Sequence, residues 1–226
     1  SRKQLLTLRT KRTIERSDDF DSSSRQPLRS PVSAGLPALQ ASHREAMQIA
    51  RLGGRSRVQV FEGFAASPEA VQALDWSRYN VLHFATHAVI NTEVPEMSGV
   101  LLSTYKPDGK TTEGMLWQYD ISHMRVPVPL VVLNGCRTAE GKPIPGEGLA
   151  GLARAFFLAG AGKVMGTLWS VQDEAASYAM QSFYSSLLQG HTSSASALRK
   201  AQLGLLHDPR WRAPYFWAAY TLETVN

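Results

Sequence analysis

One cysteine, Cys136, is all the thiol chemistry that these 226 residues hold. A lone cysteine excludes an internal disulfide framework and leaves too few soft ligands for a cysteine-based zinc site; it fits a reducing, cytoplasmic setting. Long apolar runs are missing too. No stretch approaches the roughly 18 residues that a membrane-crossing helix needs, and no charged, apolar and small-residue succession opens the chain as a secretory leader would. There is no internal repeat. Charge of one sign is scarcer than the formal net of +5 suggests: residues 1–32 carry eight Lys/Arg against four Asp/Glu, and the remainder is almost balanced. The excess belongs to an N-terminal arm, where a solvated connection to something upstream is favoured over nucleic-acid contact.

What is present is 43% hydrophobic residue, enough for one large domain with a substantial core. The division expected is a basic, partly flexible arm or linker over residues 1–33 and a single domain over 34–226. Ser17–Ser33 has the Ser/Pro content of a linker, and Leu5–Leu8 is placed as a possible edge strand. From Gly35 the periodicities alternate. Helices are predicted over Ser42–Leu52, from Pro68, over Leu149–Ala159, Glu174–Gln189 and Ser194–His207. Strands are predicted over Val58–Phe61, Asn80–Thr86 (ending at His87), Leu130–Leu133, Lys163–Leu168 and Phe216–Leu222. Asp108-Gly109 marks a hairpin between Gly99–Ser103 and Gly114–Tyr119, followed by a short helix near Asp120–Met124. Strands alternating with helices give an α/β class with a mostly parallel central sheet and an inserted hairpin.

Two glycine patterns fail on their context. Gly146-Glu147-Gly148-Leu149-Ala150-Gly151 fits dinucleotide-binding spacing, but Lys142-Pro143-Ile144-Pro145 separates it from the preceding strand, where the first glycine belongs. Gly162-Lys163 resembles the close of a phosphate loop, yet Phe157 and Val164 stand where glycine and Ser/Thr are required. His83 and His87 lie four apart on a strand with no third ligand at suitable spacing, so no metal site is expected. Cys136 and His87 remain, each just past a buried apolar run, where open α/β sheets collect their chemistry. A thiolate can attack a carbonyl if a neighbouring imidazole takes and returns the proton. The alternative for Cys136 is a small buried hydrophobe.

His83-Phe84-Ala85-Thr86-His87, Leu133-Asn134-Gly135-Cys136-Arg137-Thr138-Ala139, Gly146-Glu147-Gly148, Leu168-Trp169-Ser170-Val171, Ala197-Leu198-Arg199-Lys200-Ala201-Gln202 and Tyr215-Phe216-Trp217-Ala218-Ala219-Tyr220 resemble the CHAT domain in order, from about Leu36 to Leu222. That family of caspase-like cysteine peptidases, related to separase, is widespread in bacteria. The resemblance implies a caspase-like three-layer α/β/α sandwich and a dyad of His87, as general base and acid, with Cys136, as nucleophile. It implies backbone N–H groups of Ala88 and Cys136 as oxyanion donors. The sequence departs from the family at Ala88, where glycine is usual and where a Cβ restricts the backbone if the turn needs positive φ, and at Gln172, where an acidic residue is frequent. Glu147 is placed as support for the nucleophile loop. Asp173 and Glu174, at the carboxyl end of the Lys163 strand, either border a substrate pocket or cap and charge the following helix. Trp169 either walls that pocket or packs. The activity expected is a cofactor-free endopeptidase acting on a protein or peptide, with an upstream repeat or sensor domain or an activating partner; the alternative is a fold kept as an interaction module with the dyad idle.

Overall fold

Leu5, Leu6 and Leu8 open the first strand, β1 (Gln4–Arg9). It lies inside the sheet, not at its edge: β2 (Val58–Glu62) pairs with it in parallel on one side and β3 (Tyr79–Ile90) in parallel on the other. This corrects the placement of Leu5–Leu8 as an edge strand and ties that part of the expected arm into the domain. The misplacement has a physical cause. A six-residue run among basic and polar neighbours looks peripheral, whereas its hydroxyl-bearing Thr7 is completely buried in the folded chain. The computed structural model describes residues 4–9, 40–54, 56–91, 94–138 and 147–225, with the side chains of 4–6, 8–9, 40–41, 135–138 and 147–148 left aside.

Helix α1 (Gln40–Gly53) precedes β2, and α2 (Pro68–Gln72) follows it with Ser67 at the N-cap, where the hydroxyl accepts from the Ala70 N–H at 3.2 Å. After β3 comes the inserted hairpin of β4 (Gly99–Leu101) and β5 (Met115–Trp117), both antiparallel to their partners. Its turn uses Gly109 at φ +79, a conformation that costs glycine nothing. Helix α3 (Gln118–His123) leads to β6 (Leu130–Thr138), then α4 (Glu147–Leu158), β7 (Lys163–Thr167), α5 (Asp173–Tyr184), α6 (Ser194–His207), α7 (Pro214–Trp217) and β8 (Tyr220–Thr224). The sheet order is β2-β1-β3-β6-β7-β8, parallel throughout except for β8, which runs antiparallel to β7.

Period-two alternation sends successive side chains of the central strands to opposite cores. On one face Leu82, Phe84, Val131 and Leu133 meet Ile121 of α3 and Leu152 and Phe156 of α4. On the other, Val81, Val132 and Met165 meet Ile49 of α1, Phe183 and Tyr184 of α5, and Leu198 and Leu205 of α6. The result is the α/β/α sandwich that the resemblance implies. A Cβ on Gly166 of β7 would stand 2.5 Å from Leu149 Cδ1, so the bare glycine is what lets the first turn of α4 lie against the strand.

The boundaries that differ from expectation include that of β6, which runs past Leu133 to Thr138. Strand β3 does not stop at His87 but runs to Ile90, because the inserted hairpin supplies a partner for its far end through Ala88↔Val100 and Val89↔Gly99. Phe216 and Trp217 sit in α7, and β8 starts only at Tyr220. The helix predicted to reach Gln189 is α-helical to Tyr184 and closes with a π turn over Ser185–Gln189.

Candidate active site

The pairing of β3 with β6 sets the two candidate residues on adjacent strands. The strands run in parallel register from Val81↔Leu130 to Ala85↔Asn134, then slip, so that Ala88 becomes the partner of Cys136. Three residues on β3 span the same step as two on β6, and the extra residue falls at Thr86-His87. Cys136 is therefore not on a turn after its strand; it lies within a continuing strand whose partner carries the imidazole one residue away. His87 is 6% exposed. The thiol of Cys136 and the Glu147 side chain lie outside the described residues, as does the loop 139–146. Glu147 itself is the first residue of α4.

Ala88 meets the concern its Cβ raised. His191 is the only non-glycine residue at positive φ among those described, so Ala88 takes an extended backbone open to any side chain. It is buried among Leu82, Phe84 and Val100 in the apolar core on the α4 side. Thr86 beside it donates from its hydroxyl to the Leu101 carbonyl at 2.6 Å, which fastens the slip to the hairpin.

The other predicted groups stand at the carboxyl end of β7, next to β6. The indole N–H of Trp169 donates to the Tyr215 carbonyl at 2.8 Å, and the Tyr215 hydroxyl donates to the Ser170 carbonyl at 2.6 Å, so the loop after β7 is laced to α7. Asp173 and Glu174 are exposed in the first turn of α5. The N-cap position is Gln172, which makes no side-chain cap bond, so Asp173 brings charge to the first turn without being the cap.

A group that sequence reasoning missed lies directly behind the slip. The Glu45 carboxylate, 4% exposed, accepts from His83 Nε2 at 2.7 Å and from Asn134 Nδ2 at 2.8 Å on each oxygen. The Tyr184 hydroxyl lies 2.9 Å from His83 Nδ1. Burial, and then the Glu45 charge, hold the Tyr184 phenol well above its ordinary value, so it keeps its proton beside Nδ1. The carboxylate can only accept, so the hydrogen between it and His83 is on Nε2. Tyr220 is pushed up by the same two causes in the same order. The signal was in the sequence: Ser42, Glu45, Ala46 and Ile49, all buried, share one helical stripe, and a carboxylate there breaks the apolar pattern of a core-facing helix.

The family model of the CHAT domain matches residues 2–223. Tetratricopeptide repeat protein 28 of Mus musculus is 38% identical over 110 residues, which cover 49% of this chain and 4% of that protein. Its counterpart in Homo sapiens is 36% identical over a stretch of the same extent. The match thus takes in a small fraction of either relative's length, and both are mammalian, outside the bacterial setting that the resemblance suggests. Among the described residues, no helix is long and apolar enough to cross a membrane.

Proposed function

The chain belongs to the CHAT domain family, and from that premise we propose that it is a cysteine endopeptidase that cuts a protein or peptide substrate through Cys136 and His87. The observation that carries the reading is the register Ala88↔Cys136 on adjacent parallel strands, with His87 in the bulge beside it. In this reaction His87 takes the thiol proton and the Cys136 thiolate attacks the scissile carbonyl carbon, forming a C–S bond as the carbonyl electrons move to oxygen. Backbone N–H groups of Cys136 and Ala88 stabilise that oxyanion. Its collapse breaks the C–N bond, and the leaving amine takes the proton from His87. Water, deprotonated by His87, then hydrolyses the thioester and returns the thiol. No metal or cofactor takes part. Glu147 supports the loop that follows the nucleophile.

Specificity, in this reading, comes from the laced loop after β7. Trp169 walls the pocket, and the exposed carboxylates of Asp173 and Glu174 favour Arg or Lys before the cut through charge-assisted hydrogen bonds. A reducing cytoplasm keeps the thiol available. The mouse and human relatives, named for their tetratricopeptide repeats, support a second reading, in which the fold is an interaction module joined to upstream tetratricopeptide repeats with the dyad idle.

Labelling with a thiol-directed electrophile separates the two, since an activated thiol reacts at neutral pH far faster than an ordinary one. Cys136→Ala and His87→Ala each abolish peptide cleavage in the first reading, and the double variant is scarcely worse than either, because the two act in one mechanism. Cleavage that survives Cys136→Ala overturns it.

A further inference from the structure

We propose that Glu45 is a positioning residue whose buried carboxylate clamps β3 to β6 just ahead of their slip and so fixes the register that sets His87 and Ala88 against Cys136. The inference rests on the dyad reading above and deepens it.

Backbone pairing alone does not choose a register at a bulge, and a one-residue slide turns every following side chain to the opposite face. Here the two strands are read together by one group. Asn134 belongs to the last regular pair, Ala85↔Asn134, two residues before Cys136; His83 stands four before His87. Glu45 Oε1 accepts from both His83 and Asn134 while Oε2 accepts a second time from Asn134. A slide of one strand by one residue, about 3.3 Å, would break at least one of these bonds and leave a buried charge short of donors.

The surroundings argue that packing alone does not call for this carboxylate. The face that α1, α5 and α6 cover is otherwise built of residues such as Ile49, Val132, Met165 and Phe183, whose contacts carry no directional demand. A buried polar cluster set among them points to specificity of arrangement, not to added stability. The titratable groups that face it are His83 from β3, Tyr184 from α5 and Tyr220 from β8, the last through its effect on the phenol.

The test exchanges the partners. In Glu45→Gln the amide oxygen in the place of Oε1 still accepts from both donors, but the NH2 in the place of Oε2 is set against the Asn134 NH2, donor against donor, and in Asn134→Asp two carboxylates oppose each other. In the double variant Glu45→Gln with Asn134→Asp, the new amide oxygen accepts from His83 as before and its NH2 donates to the new carboxylate, so the link from α1 to each strand returns, the one to β6 with donor and acceptor exchanged. Because Cys136 is the only cysteine, the pH profile of iodoacetamide alkylation reads that thiol alone. We expect each single variant to raise the profile's midpoint by about one unit, a tenfold loss of thiolate below both midpoints, and the double variant to restore it. An unchanged midpoint in a folded Glu45→Gln protein, or a double variant no better than the singles, overturns the proposal. Should Glu45→Gln fail to fold, a folded double variant with the wild-type profile supports the clamp, and a shifted profile or a misfolded double variant overturns it.

Hydrogen exchange at the amides of residues 85–90 and 134–138, measured in parallel, needs no activated thiol. If wild-type Cys136 titrates like a free thiol, near 8.5, the dyad reading falls while exchange still decides the clamp. Faster exchange in Glu45→Gln, reversed in the double variant, upholds it, and unchanged exchange defeats it.

Discussion

The same two strands face two different interiors. Toward α3 and α4 they send Phe84, Val131 and Leu133, and Phe84 meets Phe156 with ring centroids 5.8 Å apart in a tilted contact. Toward α1 and α5 they send His83 and Asn134 to a carboxylate and a phenol. The first contact is non-directional, proportional to area and tolerant of small displacements. The second exists only at one set of distances, and each lost bond leaves a buried polar group unpaired. Both faces supply cohesion, but only the second adds, at His83 and Asn134, a directional contact that supplies register, and it lies on β3 and β6, the strands that carry His87 and Cys136.

That contrast can be broken by substitution, beginning with the largest effect. Phe156→Ala, which opens a cavity on the apolar face, is expected to cost about 3–5 kcal/mol in urea unfolding. If it costs less than 1 kcal/mol (about the scale of an ordinary surface change), the apolar face is not a source of cohesion. Near-isosteric changes sharpen the comparison. Leu152→Met, on the apolar side, should cost under about 1.5 kcal/mol. Glu45→Gln, equally close in shape, should cost about 1–3 kcal/mol because it strands a buried donor. Equal costs for the two would erase the distinction between the faces.

A smaller effect is expected in alkali. Tyr184 and Tyr220 are neutral in the fold with raised values, so the stability they contribute is complete below the unfolded value of about 10 and is lost as pH rises beyond it. Each adds a decline of about 1.4 kcal/mol per pH unit above that point. Unfolding free energies measured between pH 9 and 11 should therefore fall less steeply in Tyr184→Phe than in wild type; identical slopes would remove Tyr184 from the account. The smallest effect should come from the exposed surface. Asp173→Asn should change stability by less than about 0.5 kcal/mol, since Gln172 holds the cap position, while removing a preference for basic side chains in a peptide library. A clear loss of melting temperature with an unchanged preference would make Asp173 a stabiliser of α5 and no part of a pocket.

The elements with a strong period were legible from residues alone. α6 starts and ends at Ser194 and His207 as its capping serine and apolar spacing indicate, and Ser67-Pro68 opens α2 as expected. The hairpin turn was legible because Asp-Gly is a local conformational signal. Glu45 was not read as part of any site, because its two hydrogen-bonding partners lie 38 and 89 residues away, with Tyr184 joined only through His83.

By itself, the sequence determined what local energetics determine: an α/β chain with buried parallel strands, a thiol and an imidazole each following a buried apolar run, and the order of motifs that marks the family. Only the tertiary structure decided that β1 is interior, that β3 and β6 run on past their apolar runs, and that a bulge sets Ala88 opposite Cys136 with a carboxylate from α1 behind it. The reason is that helix caps, turns and periodicity are settled within a few residues, whereas strand order and register depend on pairing between segments far apart in the chain, which no local preference encodes.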